Sequence, residues 1–146
     1  MRAAIAIVTL ALAACGAGSG EGLDQNGQPP SGGGAPPGGL APTLASIQDN
    51  VFTVTCAVPG CHGGAGAQQG LRLDPGFSAG SLINVASPRD PNLIRVVPGD
   101  PDASFLIQKL QGADGLLGDR MPDGGPYLTT ATVNVIRQWI LDGAPQ

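Results

Sequence analysis

The residues best suited to chemistry lie close together in the stretch TCAVPGCHGGAG, residues 55–66. It contains Cys56, Cys61 and His62, and His62 is the only histidine in the 146-residue chain. Two thiols beside an imidazole permit three chemistries. They can attach a haem covalently, form a disulfide next to an ordinary histidine, or supply three of the four ligands of a zinc site.

Covalent haem attachment requires two thiols that add to the haem vinyl groups and a histidine that binds the iron. The usual spacing is C-x-x-C-H, whereas this chain has C-x-x-x-x-C-H. Cys61 and His62 keep their adjacency, and Pro59-Gly60 is a turn pair that can loop out the additional residues. On this interpretation Cys56 and Cys61 form the thioethers and His62 is the proximal iron ligand.

Met121 is the candidate for the second axial ligand of the iron. Apart from Met1 it is the only methionine, and it precedes Pro122 in a loop rich in glycine and proline. Ligation by histidine and methionine raises the reduction potential of haem iron. The alternative is a methionine that fills a gap in the packing.

Two other site chemistries compete with haem. A Cys56–Cys61 disulfide is the usual fate of paired thiols in an oxidising compartment and predicts a haem-free binding or structural lipoprotein. Zinc is disfavoured because no further histidine or cysteine supplies the fourth ligand. A Ser-His-Asp hydrolase is also disfavoured, since His62 is the only candidate base. The sequence therefore favours an electron carrier over an enzyme.

The first residues indicate export and a lipid anchor. Residues 1–14 combine Arg2 with an apolar run that is shorter than the ~20 residues of a membrane-spanning helix, which is typical of a signal peptide. The run ends in LAAC, which resembles a bacterial lipobox and predicts lipidation of Cys15; a plain secretory signal is the alternative. We expect a periplasm-facing protein in the bacterial cell envelope, and Gly16 favours the outer membrane.

Residues 15–42 are predicted to form a flexible tether. Ten of residues 16–42 are glycine and five are proline, so this segment buries too little surface to offset its ordering entropy. The folded domain is then 43–146. The net charge of the chain is −4, and without a basic patch nucleic acid is not expected as a partner.

Three helices are predicted in the domain. The first runs from about residue 44 to 55 after a Thr43 cap; its apolar residues at helical spacing are Leu44, Ile47, Val51 and Val54. The second follows an Asp100 cap and ends at Gly112, and the third spans about 129–142. Between them, residues 60–102 are rich in glycine and proline. The runs 81–85 and 92–97 are short strands or buried loop segments.

Five separated motifs carry a family resemblance. They are CHGG (61–64), GLRLD (70–74), VVPGDPDASFLIQKL (96–110), RMP (120–122) and IRQWILDGAP (136–145). In this order they resemble bacterial cytochrome c-like domains of the planctomycete type, over most of the chain from Cys56 to Pro145.

The resemblance implies a mostly α, class I cytochrome c-like fold with long Gly/Pro-rich loops and one covalent haem c. It implies that Cys56 and Cys61 are the thioether cysteines and that His62 and Met121 are the axial ligands. One-electron transfer to an unidentified redox partner protein follows, and the acidic chain suggests a basic docking patch on that partner. Candidate haem walls are Leu71, Leu73, Leu82, Ile83, Leu93, Val96, Leu106 and Leu110. Arg72, Arg95 and Arg120 are candidate partners of the haem propionates.

Overall fold

The computed structural model describes residues 39–146. The predicted signal peptide (1–14), the lipidation residue Cys15 and nearly all of the predicted tether (15–42) lie outside the described residues. Within residues 39–146, none of the helices has the length and apolar character needed to cross a membrane.

The predicted first helix is confirmed. Helix α1 spans Leu44–Ile47, and the hydroxyl of Thr43 caps it by accepting from the amide of Ser46 at 3.3 Å. A π-helix, Gln48–Cys56, continues it without a break. Cys56 therefore lies at the end of this helical segment, as the sequence predicts.

The π-helix changes which side chains face the core. In an i→i+5 turn, residues four and five apart share a face. Ile47, Val51 and Phe52 are accordingly buried, whereas Val54 is 63% exposed. The expectation that Val54 belongs to the apolar face is wrong, because it assumes the 3.6-residue period of an α-helix.

The middle of the chain contains short elements. A 3₁₀ turn at Gln68–Gly70 and helix α2 at Ser78–Leu82 precede an antiparallel hairpin. The hairpin pairs β1, Ala86–Ser87, with β2, Asp90–Ile94, and Ala86 lies opposite Ile94. A bulge between Ala86 and Ser87 accommodates the tight connection. Of the two alternatives for residues 92–97, a short strand or a buried loop segment, the structure shows a strand that ends at residue 94.

Helix α3 spans Phe105–Gln111 and starts later than predicted. The Asp100 carboxylate accepts from the amides of Asp102 and Ala103, at 3.1 and 2.9 Å. These bonds form a turn ahead of the helix, so Asp100 does not cap it and Ser104 takes the N-cap position. The predicted end is confirmed, because Gly112 adopts a left-handed conformation at φ 71°.

Helix α4 spans Thr130–Leu141, in agreement with the prediction. Thr129 caps it by accepting from the amide of Thr132 at 3.2 Å. Its buried side chains are Val133, Val135, Ile136, Trp139 and Ile140. Helix α3 packs against α4, and one hydrophobic core includes Phe52 of the π-helix and Trp139 of α4.

The expected mostly α, class I cytochrome c-like fold class is wrong. Helices cover only 37% of the described residues, and a two-stranded antiparallel sheet is present. The cause lies in residues 60–102, where prolines remove backbone donors and glycines such as Gly76 and Gly99 adopt positive φ. Turns, a hairpin and helices of a few residues replace long helices there.

Candidate functional site

The loop between the two cysteines folds back on itself. The amide of Cys61 donates to the carbonyl of Val58 at 3.1 Å, and Gly60 between them has φ 83°. This arrangement matches a turn with proline and then glycine at its centre. The amide of His62 donates to the carbonyl of Cys56 at 3.1 Å. The predicted looping out of Pro59-Gly60 is confirmed, and it brings Cys56 and His62 together.

Two contacts hold the residues that follow His62. A Cβ atom at Gly63 would collide with the backbone carbonyl of Ala57, so only glycine permits this close approach. The amide of Gly64 donates to the Asp74 carboxylate at 2.8 Å. Arg72 donates to the same carboxylate oxygen at 2.7 Å, and this bond, with the one from Gly64, lowers the pKa of Asp74. A hydrogen bond between Gly64 and Asp74 therefore joins the CHGG and GLRLD motifs.

The imidazole of His62 is oriented by the backbone. Its Nδ1 lies 3.1 Å from the carbonyl oxygen of Leu71. Because a carbonyl only accepts, the Nδ1 atom carries the proton and Nε2 keeps its lone pair. Burial lowers the pKa of His62, which favours the neutral ring. Histidines that bind metals usually donate their other N–H to such a partner.

Three of the four predicted site residues line one cavity. Cys56, His62 and Met121 border a cavity of about 120 Å³. The fourth residue, Cys61, is exposed and borders an adjoining cavity of about 490 Å³, which Cys56, His62 and Met121 also line. The structure therefore gathers all four residues around adjoining cavities.

The wall of the first cavity is mostly apolar and partly as predicted. Five predicted wall residues line it: Leu71, Leu73, Leu82, Leu106 and Leu110. The other three, Ile83, Leu93 and Val96, do not border it. Sequence reasoning did not assign Val51, Phe52, Phe105, Leu117, Leu128 and Ile136 to this wall. The apolar periodicity of their helices gives a signal for Val51 and Ile136, but not for Leu117 in its loop.

Cationic side chains interrupt this apolar wall. Arg89, Arg95 and Lys109 border the first cavity, whereas no acidic residue borders it among those described. Arg95 is buried and donates to the carbonyls of Ser81 and Gln69, each at 2.7 Å. Of the three arginines predicted to meet propionates, only Arg95 therefore reaches the cavity.

The other two predicted arginines have structural partners outside it. The Arg72 guanidinium lies over the Phe77 ring, 3.4 Å from its centroid, in addition to its ion pair with Asp74. The Arg120 guanidinium lies 4.1 Å from the centroid of Tyr127. Such cation–π contacts stabilise the loops in which they occur.

Met121 is held against helix α3. Its amide donates to the carbonyl of Lys109 at 2.8 Å, and the neighbouring Arg120 Nε donates to the carbonyl of Leu110 at 2.9 Å. These bonds occupy carbonyls of the last helical turn, which have no partner within the helix. The loop is thereby fixed so that the Met121 side chain borders the same cavity as His62.

Both cysteines of the described chain carry free thiols. Burial, together with the nearby Cys61, raises the pKa of the half-buried Cys56 thiol to about 11. Among residues 39–146, no three histidine, cysteine, aspartate or glutamate side chains come together as a metal-binding group. Cys56, Cys61 and His62 therefore do not form the cluster that a zinc site requires.

The residues around the cavities fit a haem c. The first cavity is lined by an imidazole whose Nδ1 is engaged by a carbonyl, a thioether and mostly apolar walls; Cys56 borders both cavities and Cys61 borders the second. Haem also carries two carboxylates, for which Arg89, Arg95 and Lys109 supply positive charge. This donor set suits iron held by a porphyrin, which needs only axial ligands from the protein.

Comparisons with known proteins found no counterpart. The chain matches no family model, and neither curated proteins nor solved structures show a significant similarity to it.

Proposed function

We propose that the chain is a c-type cytochrome that transfers single electrons through one covalently bound haem. The observation that carries this proposal is the arrangement of His62. Its ring borders an apolar cavity together with Cys56 and Met121, and its Nδ1 proton is engaged by Leu71. In this proposal the remaining Nε2 lone pair binds the iron.

Each of the four residues has a distinct task in this proposal. Cys56 and Cys61 would hold the group through thioether bonds to its two vinyl groups, and the turn at Pro59-Gly60, which folds the longer loop back on itself, supports this. His62 and Met121 would be the ligands that hold the iron. When bound, haem supplies an iron that alternates between two oxidation states without bond chemistry on a substrate.

The protein around the cavity controls the potential and excludes water. Apolar side chains such as Leu73, Leu82 and Phe105, all buried, lie in the wall. Burial of this kind disfavours the additional charge of oxidised iron, and an axial methionine acts in the same direction. A carrier with a comparatively high reduction potential is the expected result.

The envelope location and the partner belong to the same proposal. The lipobox predicts that Cys15 is lipidated, which anchors the protein to the membrane on its periplasmic side. The glycine- and proline-rich residues 16–42 then give the domain reach toward a redox partner protein. Weak contact that depends on salt is expected for such an electron-transfer pair.

The proposal is tested by expressing the full chain for export in a host with haem-attachment machinery. The wild type is expected to show a haem spectrum that persists after denaturation and extraction. Replacing both thiols, Cys56→Ser with Cys61→Ser, is expected to abolish retained haem. The matched control Cys15→Ser is expected to keep the haem and to lose membrane association. A folded, colourless wild type carrying a Cys56–Cys61 disulfide would contradict the proposal.

A further inference from the structure

Two cationic head groups converge at one point on the cavity rim. A methyl group at Gly118 would lie 2.7 Å from a guanidinium nitrogen of Arg89 and 3.4 Å from Nζ of Lys109. Both side chains border the cavity that His62 and Met121 line. Arg89 comes from the turn of the hairpin and Lys109 from α3, so the fold brings them together from distant parts of the chain.

Neither head group has an acidic partner among the described residues. The ion pairs there are Arg72 with Asp74 and Arg137 with Asp102. Lys109 Nζ donates to the backbone carbonyls of Leu117 and Asp119, and an ammonium group has a third proton to donate.

The exposed guanidinium of Arg89 has no hydrogen-bond partner in the part of the chain that the structure describes. Asp119 and Asp123 act on Lys109 from beyond ion-pair distance, and like charges repel, so an anion bound between the two cations would stabilise them further. Arg95 differs from both, because it is buried and its nitrogens are engaged by carbonyls. The free binding capacity of the cavity therefore lies with Arg89 and Lys109.

We propose that Arg89 and Lys109 form a carboxylate-binding site at the rim of the cavity and that it holds the propionates of the haem. This inference rests on the proposed function. A haem has vinyl groups on one part of its edge and two carboxylates on another. An apolar cavity that binds it covalently therefore needs thiols near the vinyl groups and cations near the carboxylates. Guanidinium and ammonium groups make charge-assisted hydrogen bonds to carboxylates.

The test uses the exported holoprotein with the substitutions Arg89→Gln and Lys109→Gln together. The matched control is Arg137→Gln, which removes a cation of α4 that pairs with Asp102 outside the cavity. The readout is the midpoint potential of the bound haem as a function of pH. Asp119 and Asp123 are the acidic groups that act on Lys109, and both stay unchanged in every variant.

In the double variant we expect covalent haem to be retained and the midpoint potential to fall, because two positive charges near the oxidised iron are lost. The pKa of the propionates, seen as an inflection in the pH profile, is expected to rise by about one unit or more. Arg89→Lys with Lys109→Arg is expected to restore the wild-type profile. If the double variant folds poorly, Arg89→Gln alone serves the same purpose, since its exposed side chain has no described hydrogen bond.

The outcomes separate this inference from the proposed function. A coloured double variant whose midpoint potential and pH profile equal those of Arg137→Gln would overturn the carboxylate site and leave the haem proposal standing. A colourless wild type would overturn the haem proposal. If that colourless protein bound inorganic phosphate, and the double variant did not, the site would serve a free anion and the assignment to propionates would be wrong.

Discussion

The amide of His62 donates to the carbonyl of Cys56 across 3.1 Å, although six positions separate the two residues. This bond closes the loop that contains Pro59-Gly60 and makes the wide cysteine spacing compatible with a compact site. Without it, the two cysteines and the histidine would belong to separate parts of an open loop. The proposed haem site therefore depends on the conformation of residues 56–64.

Gly63 provides a direct test of this conformation. Gly63→Ala places a Cβ atom against the backbone carbonyl of Ala57, and the loop must open to relieve the collision. We expect a loss of about 1–3 kcal/mol in the free energy of unfolding, together with a lower yield of covalent haem. Urea denaturation and the absorbance of the purified protein measure the two effects.

Gly66→Ala is the matched control for this substitution. A Cβ atom at Gly66 meets no atom within 4 Å, so its effect on stability and haem yield should be small. Equal stability of the Gly63 and Gly66 variants would show that the loop does not close as described.

Asp74 is expected to make stability depend on acid pH. Its hydrogen bonds from Arg72 and Gly64 lower its pKa in the folded protein. The Asp74 carboxylate therefore stabilises the folded protein fully at pH values above its unfolded-state pKa of about 3.9. This stabilisation is lost as the pH falls through the lower pKa of the folded state. Melting temperatures should show Asp74→Asn less stable than wild type at neutral pH, with the difference vanishing in strong acid.

The control for Asp74 is Asp114→Asn, at an exposed loop position with no hydrogen bond among the described side chains. It should follow the wild-type melting profile. A constant difference between Asp74→Asn and wild type at every pH would mean that the carboxylate charge is not the stabilising feature.

Met121→Ala tests the proposed axial ligand. The covalent haem should be retained, because the thioethers are unaffected, and the midpoint potential should fall by part of the roughly 0.8 V range that axial ligands control. Leu117→Ala is the control, since Leu117 borders the same cavity but has no sulfur. Equal potentials in the two variants would remove Met121 from the iron.

Trp139→Ala tests the core that supports the site. Trp139 is fully buried, and its indole N–H donates to the carbonyl of Pro145 at 2.9 Å. Truncation should cost about 3–5 kcal/mol of unfolding free energy, measured by urea denaturation. Leu141→Ala in the same helix, at a side chain that is 55% exposed, should change stability little. A small effect at Trp139 would contradict the described packing.

Local chemistry explains which parts of the fold the sequence predicts. Thr43, Thr129 and Gly112 mark helix ends correctly, because capping involves only the neighbouring residues. The prediction that Asp100 caps the second helix is wrong for the same local reason, because an aspartate carboxylate accepts hydrogen bonds in a turn as readily as at a helix start. The pairing of Ile83 with Val96 is non-local, so short strands and helices in the middle of the chain escape prediction.

Some residues of the candidate site can be found from the sequence, and others only from the fold. Cys56, Cys61 and His62 form a contiguous motif, and Met121 stands out by rarity, so the sequence reveals them. Arg89 and Lys109 come together only in the folded chain. Lys109 belongs to the 96–110 motif, but nothing in the sequence marks either residue as an anion ligand. The prediction that Val54 faces the core is wrong because the sequence does not reveal the π-helix. The predicted mostly α fold class is wrong because the sequence does not reveal the turns that shorten the helices.

The most direct test of the central claim is the intact mass of the exported wild-type protein after denaturation. The expected mass is that of the exported polypeptide, with or without its lipid, plus one haem, and Cys56 and Cys61 should not react with thiol reagents. A polypeptide without haem and two hydrogens lighter than its reduced form would contradict it, because Cys56 and Cys61 would then be joined in a disulfide.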